Sequence, residues 1–193
     1  MMGKRTRTHF PKSSQKTMDA ILRAAGFALS QAQSGLLWRY YNLIVKYNDA
    51  CDLTRITRFE DFIIKHFVDS IIVGNLIELP DRMVDIGTGA GFPGLPLRLV
   101  HPYIELTLLE ATTKKTLFLN HITQRLKLNN VRVLDARAEA LGLRPHLHHE
   151  ILPQDPVLEA GEVLHLGGEH ELAAGDHCAA PGAFEDEGFE LGA

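Results

Sequence analysis

Apolar positions in the first third of the chain recur at helical spacing. Ile21, Leu22, Ala25 and Leu29 predict a helix over 17–29, with Gly26 weakening it. Ser30-x-x-Gln33 is a capping-box pattern. It opens a second helix reaching about Tyr47, with Leu36, Leu37, Tyr40, Leu43 and Ile44 on its buried side. Thr57-x-x-Glu60 caps a third helix through Phe62, Ile63, His66, Phe67 and Ile71, which stops near Gly74. From residue 82 the pattern changes. Short apolar runs at 82–86, Ile104–Leu109 and Val131–Leu134 read as strands. Between them lie a helical stretch over 94–100, ended by His101-Pro102, and another over Thr113–Lys127 with Leu117, Leu119, Ile122 and Leu126 as apolar positions. Such alternation implies an α/β fold with a parallel sheet and right-handed crossovers, preceded by a helical cap.

The first strand runs into Asp85-Ile86-Gly87-Thr88-Gly89-Ala90-Gly91-Phe92-Pro93-Gly94. Glycines at alternate positions allow a sharp turn and close approach of a ligand to the main chain. A loop of this kind at a strand's carboxyl end is where open α/β sheets bind nucleotide-like ligands, and the amides opening the next helix are expected to point at the ligand. The dinucleotide fingerprint G-x-G-x-x-G fits at Gly87 and Gly89 and fails at Phe92. Asp85 would repel a pyrophosphate. The loop therefore favours a cofactor with a cationic or hydroxyl-bearing head, such as S-adenosylmethionine. Glu110, at the tip of the second strand, stands where a carboxylate accepts hydrogen bonds from ribose hydroxyls. Ala138 and Glu139, past the third strand, would line the adenine edge of the same crevice, although Ala136 to Ala140 also read as a helix start. His66 on an apolar helix face reads as a hydrogen-bonded structural residue.

A chain of 193 residues supports one domain with a proper core. No run of 18 apolar residues suggests a membrane span, the basic N-terminus lacks the apolar core of a signal peptide, and Cys51 and Cys178 make no disulfide framework. A reduced, cytoplasmic setting is the expectation. The net charge of −4 conceals an asymmetry. Residues 1–144 hold all 20 Lys and Arg and 13 of the 24 Asp and Glu, leaving +7, whereas residues 145–193 hold the other 11 acids and stand at −11. A basic body is compatible with a nucleic-acid partner. Residues 1–16, basic and without an acid, read as a flexible arm. Six of the ten histidines lie in the acidic tail, among them His146, His148 and His149, but no pair has the spacing of a known metal site, so no metal is expected.

At this point the residues resemble one family. The run Asp85 to Gly94, with its Phe-Pro-Gly ending, is similar to the glycine loop of the small-subunit ribosomal RNA methyltransferase G family, also called glucose-inhibited division protein B. Lys65-His66-Phe67-Val68-Asp69-Ser70, Leu108-Leu109-Glu110, and Leu128-Asn129-Asn130-Val131 running to Arg137-Ala138-Glu139 support it. So do Gly26 to Ser30 and Tyr47-Asn48 to Leu53-Thr54. The resemblance spans about residues 18–142. It implies a Rossmann-like class I S-adenosylmethionine-dependent methyltransferase with an N-terminal helical cap, which methylates N7 of a guanine in small-subunit ribosomal RNA. By motif position Gly87, Phe92, Ala138 and Glu139 would contact the cofactor. Asp85, Gly89, Gly91 and Glu110 join them on the physical grounds above.

The chain departs from the family in having Tyr47 for Trp, Asp52 for Asn and Glu110 for Asp. More serious is the tail. The family continues into a fourth strand ending in a Ser-Arg-Ala-like motif, and no Arg follows Arg144. Residues 145–193 read as a divergent, poorly ordered or frame-shifted continuation, which would leave the sheet incomplete at its C-terminal part. The implied reaction needs no base, because guanine N7 already carries a lone pair, and no catalytic residue is named. Two other readings stay open: a cofactor- or RNA-binding member without turnover, and a nicotinamide-dependent oxidoreductase, which Asp85 and the missing third glycine oppose.

Overall fold

The computed structural model describes residues 13–141. Most of the basic arm, and the acidic tail with its histidines and Cys178, lie outside the described residues. Helix α1 runs over Gln15–Ala24 and α2 over Gln31–Cys51. A broken helix follows: α3 over Phe59–Phe62, a π-helical stretch over Ile63–Val68, α4 over Asp69–Ile71 and α5 over Val73–Leu76. The α/β part comprises β1 (Arg82–Ile86), α6 (Gly94–Val100), β2 (Glu105–Glu110), α7 (Thr113–Arg125), β3 (Val131–Asp135) and a 3₁₀ turn over Ala138–Leu141.

Local chemistry sets most boundaries. Ser14 caps α1, its Oγ accepting from Thr17 N at 3.1 Å, so Gln15 and Lys16 belong to the helix and not to the arm. Gly26 at φ +93° ends it earlier than the expected residue 29. Gly26 N donates to Arg23 O and Phe27 N to Leu22 O, a Schellman closure that tucks Phe27 into the core. The capping box at Ser30 forms as expected: Gln33 N donates to Ser30 Oγ at 3.3 Å and Ser30 N to Gln33 Oε1 at 2.8 Å. Helix α2 then runs on to Cys51, where Asp52 turns left-handed. The expected cap at Thr57 is replaced by Arg58, which makes no side-chain cap bond. Leu117, expected on the apolar side of α7, is exposed, and Phe118 is buried in its place. That helix ends in a second Schellman closure with Lys127 left-handed, two residues before the expected end.

The three strands are parallel in the order β1-β2-β3. Met83 pairs with Leu106, Asp85 with Leu108, Leu108 with Val133 and Glu110 with Asp135. Right-handed crossovers along that order place α6 and α7 on one face. Helix α2 packs on both of them, so the cap rides on these helices. One apolar core runs from Met18 and Leu22 through Tyr40, Ile44, Phe62 and Phe67 to Leu97, Phe118, Met83, Leu106 and Leu108. Val84 and Leu109, on the opposite sheet face, are buried but stand outside it. No helix among the described residues is long and apolar enough to cross a membrane.

Candidate functional site

The loop after β1 turns three times through left-handed backbone: Gly87 at φ +69°, Gly89 at +62° and Gly91 at +111°. L-residues reach that region only with strain, which is the reason for three glycines here. The turn hangs on β2, since Gly87 N and Thr88 N both donate to Leu109 O, at 2.8 and 3.2 Å. It closes on itself through Gly91 N and Phe92 N, both donating to Thr88 O.

Two carboxylates brace it. Asp85 is 4% exposed, and its Oδ2 accepts from Thr88 Oγ1 at 2.7 Å and from Gly94 N at 2.8 Å. The amide opening α6 is therefore spent on Asp85 and not offered to a ligand, which corrects the expectation for the helix start. A Cβ on Gly94 would lie 2.7 Å from that same carboxylate oxygen, so the close approach requires glycine. Burial pushes the Asp85 carboxyl up to about 6; the bonds from Thr88 and Gly94 pull the other way, and nearby Glu110 adds to the rise. Glu110 is buried at the end of β2. Its Oε2 accepts from Gly89 N at 2.9 Å and its Oε1 from Thr112 N at 2.8 Å. Asp85, Gly87, Gly89 and Glu110 thus meet at the carboxyl edge of the sheet. Among the described residues nothing lies within 4 Å of the place a Cβ on Gly87 would occupy, so the crest is open to them above that residue.

The outer side of the loop is gripped by the cap. Tyr40 Oη donates to Ala90 O at 2.8 Å; burial, with Asp85 second, holds this phenol well above its ordinary pKa and keeps it a neutral donor. A Cβ on Gly91 would meet Leu95 Cδ1 and, at 2.7 Å, Tyr40 Oη. Phe92 faces the cap as well, half-buried among Tyr40, Phe62, Phe67 and His66. Ala138 and Glu139 sit in the 3₁₀ turn past β3, Ala138 half-buried and Glu139 exposed. The segment leading to them is tied to the β2 tip, where Ala136 N donates to Glu110 O at 3.2 Å.

Sequence reasoning assigns no place in the site to the side chains of Thr88, Thr112 or Tyr40. Thr88 carried a usable signal, a hydroxyl three residues after the strand-end acid. Tyr40 carried none, since a tyrosine at helical apolar spacing looks like plain core. Among the described residues no group of three or more His, Cys, Asp or Glu is placed to hold a metal.

Residues 33–152 match the family model for rRNA small subunit methyltransferase G. The match runs past residue 142, where the motif resemblance ends. The chain is 45% identical over 125 residues to a ribosomal RNA small subunit methyltransferase G of Dehalococcoides mccartyi, covering 64% of this chain and 53% of the relative. It is 42% identical over 117 residues to the methyltransferase G 2 of Syntrophobacter fumaroxidans, covering 61% of this chain and 24% of that one. Against the Acholeplasma laidlawii protein it is 36% identical over 171 residues, covering 86% and 74%. The chain thus spans about half, or less, of the first two relatives.

Proposed function

This chain belongs to the rRNA small subunit methyltransferase G family, and from that premise we propose that it transfers a methyl group from S-adenosylmethionine to N7 of a guanine in small-subunit ribosomal RNA, in the cytoplasm. The observation that carries the reading is the open glycine crest over Gly87, flanked by the buried carboxylates of Asp85 and Glu110. A crest with space where a Cβ would stand, and acids in place of phosphate-binding cations, fits an adenosyl sulfonium donor better than a pyrophosphate.

In this reading Gly87 and Gly89 give the donor close access to the main chain, while Gly91 lets the loop close against Leu95 and Tyr40. Glu110 accepts from its ribose hydroxyls while keeping its bonds to Gly89 and Thr112, since each carboxylate oxygen has a second lone pair. Asp85 contributes negative potential from beneath the loop and fixes the loop's shape. Phe92 supplies an apolar wall, and Ala138 and Glu139 border the adenine. The donor, when bound, supplies an electrophilic methyl group. The task left to the chain is to hold that methyl and N7 in line at about 3–3.5 Å. N7 already carries a lone pair and needs no deprotonation.

The test is methyl transfer from labelled S-adenosylmethionine to small ribosomal subunits from a strain lacking this modification. Label recovered as N7-methylguanine is the expected result. Donor binding without transfer would instead make the chain a cofactor- or RNA-binding member of the family. Binding of a nicotinamide cofactor in place of the sulfonium would overturn both.

A further inference from the structure

Among the cap side chains that reach the glycine loop, one is an imidazole. His66 lies in the π-helical stretch Ile63–Val68, where Asp69 N donates to Ile64 O five residues back. Such wide turns are costly beside α-helix and recur where a side chain must be re-aimed. Here Ser70 Oγ donates to the His66 carbonyl oxygen, which secures the turn. Phe62, Ile63, Phe67, Ser70 and Ile71 stay buried, and the His66 ring lies flat on Phe92, with centroids 4.3 Å apart and planes 7° apart.

A second anchor sets the rotation of that ring. His66 Nε2 is 2.8 Å from Thr54 Oγ1, which also accepts from Ile56 N at 3.1 Å. Thr54 is clasped in turn by Asn48, buried on α2. Asn48 Nδ2 donates to Thr54 O at 3.0 Å, and Thr54 N donates to Asn48 Oδ1 at 2.8 Å. A side chain that only filled space on this apolar face could be leucine. An imidazole supplies both a flat face and a polar edge at a fixed angle, and both are used. Phe92, pressed by that face, directly follows Gly91, the last left-handed residue of the loop.

We propose that His66 is a positioning residue for the cofactor: through the relay Asn48–Thr54–His66–Phe92 the cap fixes the Phe92 ring, and with it the end of the glycine loop at Gly91, without touching the reacting atoms. The proposal rests on the reading of the crest as an S-adenosylmethionine site. It assigns the π-helical turn a purpose, which is to deliver the imidazole face to the loop.

The test measures S-adenosylmethionine affinity by calorimetry, alongside thermal stability, for the full chain and its His66→Ala, His66→Leu, His66→Phe and Thr54→Val variants. Ala and Leu are expected to bind about tenfold more weakly, the scale of releasing one preorganised contact. Phe keeps the flat face but loses the polar edge, and Thr54→Val removes the anchor of that edge, so both are expected to bind about threefold more weakly than the parent, between it and Leu. Leu preserves volume, so it reports even where Ala fails to fold. Unchanged affinity in Ala and Leu with lowered stability would reduce His66 to a packing residue and overturn the proposal. Affinity in Phe as poor as in Leu would show that the stack does not carry the effect, and would overturn it too. A parent chain that binds no S-adenosylmethionine would sink the reading of the crest itself, and the role of His66 with it.

Discussion

Asp85 is the residue whose protonation state bears most directly on the loop. Burial lifts its carboxyl from 3.8 to about 6, so the folded chain holds this proton more tightly than the unfolded one. The associated stabilisation is complete below pH 3.8 and fades as pH rises through about 6. At neutral pH the ionised group is therefore a liability of at most about 3 kcal/mol, at 1.36 kcal/mol per pKa unit. Asp85→Asn keeps an oxygen for Thr88 and Gly94 and removes the charge. It is expected to raise Tm near neutral pH, with the gain shrinking as pH falls towards 4. A series of melts from pH 4 to 8 checks this; an advantage that grows on acidification would contradict it. If the carboxylate also serves the donor's cationic head, the same variant binds S-adenosylmethionine less well while being more stable.

At the scale of the element, the glycine loop makes two separable demands. Gly91 combines φ +111° with neighbours Leu95 and Tyr40 already occupying the position of a Cβ. Gly91→Ala is expected to cost about 3 kcal/mol or more in denaturant unfolding, from backbone strain plus overpacking. Gly87, at φ +69° with empty space beside it, meets strain alone. Gly87→Ala is expected to cost about 1–2 kcal/mol while blocking the crest, so that stability survives and donor binding is lost. Equal effects of the two on both measurements would contradict this division. The loop was legible because its determinants sit together: a strand, its terminal acid, and glycines whose spacing has few other uses. The π-helical stretch was not. Phe62, Ile63, Phe67 and Ile71 also suit an ordinary α-helix, and the widening is secured by Ser70 and by Thr54 from another element. The end of α1 is half-legible, since Gly26 in the sequence marks a weak point in the helix but not a left-handed stop.

For the whole molecule, the cap and the sheet are expected to unfold together. A single core joins Met18 and Tyr40 to Met83 and Leu106. Trp38, the one tryptophan, stacks on Tyr41 and meets Phe59 edge-on inside the cap. Its fluorescence and the far-ultraviolet dichroism of the helices should change at the same denaturant concentration. A cap that melts at a lower midpoint would mean two cores. The layering was readable from the shift between helical and alternating periodicity. The way the cap grips the loop was not, because Tyr40 and His66 meet Ala90 and Phe92 only after the chain has folded back on itself.

On the proposed reading of the crest, Glu110 has a consequence for how quickly and how cleanly a ligand is caught. Its two oxygens are immobilised by amides from either side of the β2 tip before any visitor arrives. An incoming hydroxyl meets a stationary acceptor with lone pairs to spare, so no rotamer search accompanies capture. The freedom a carboxylate ordinarily surrenders at that moment was surrendered when the strand formed.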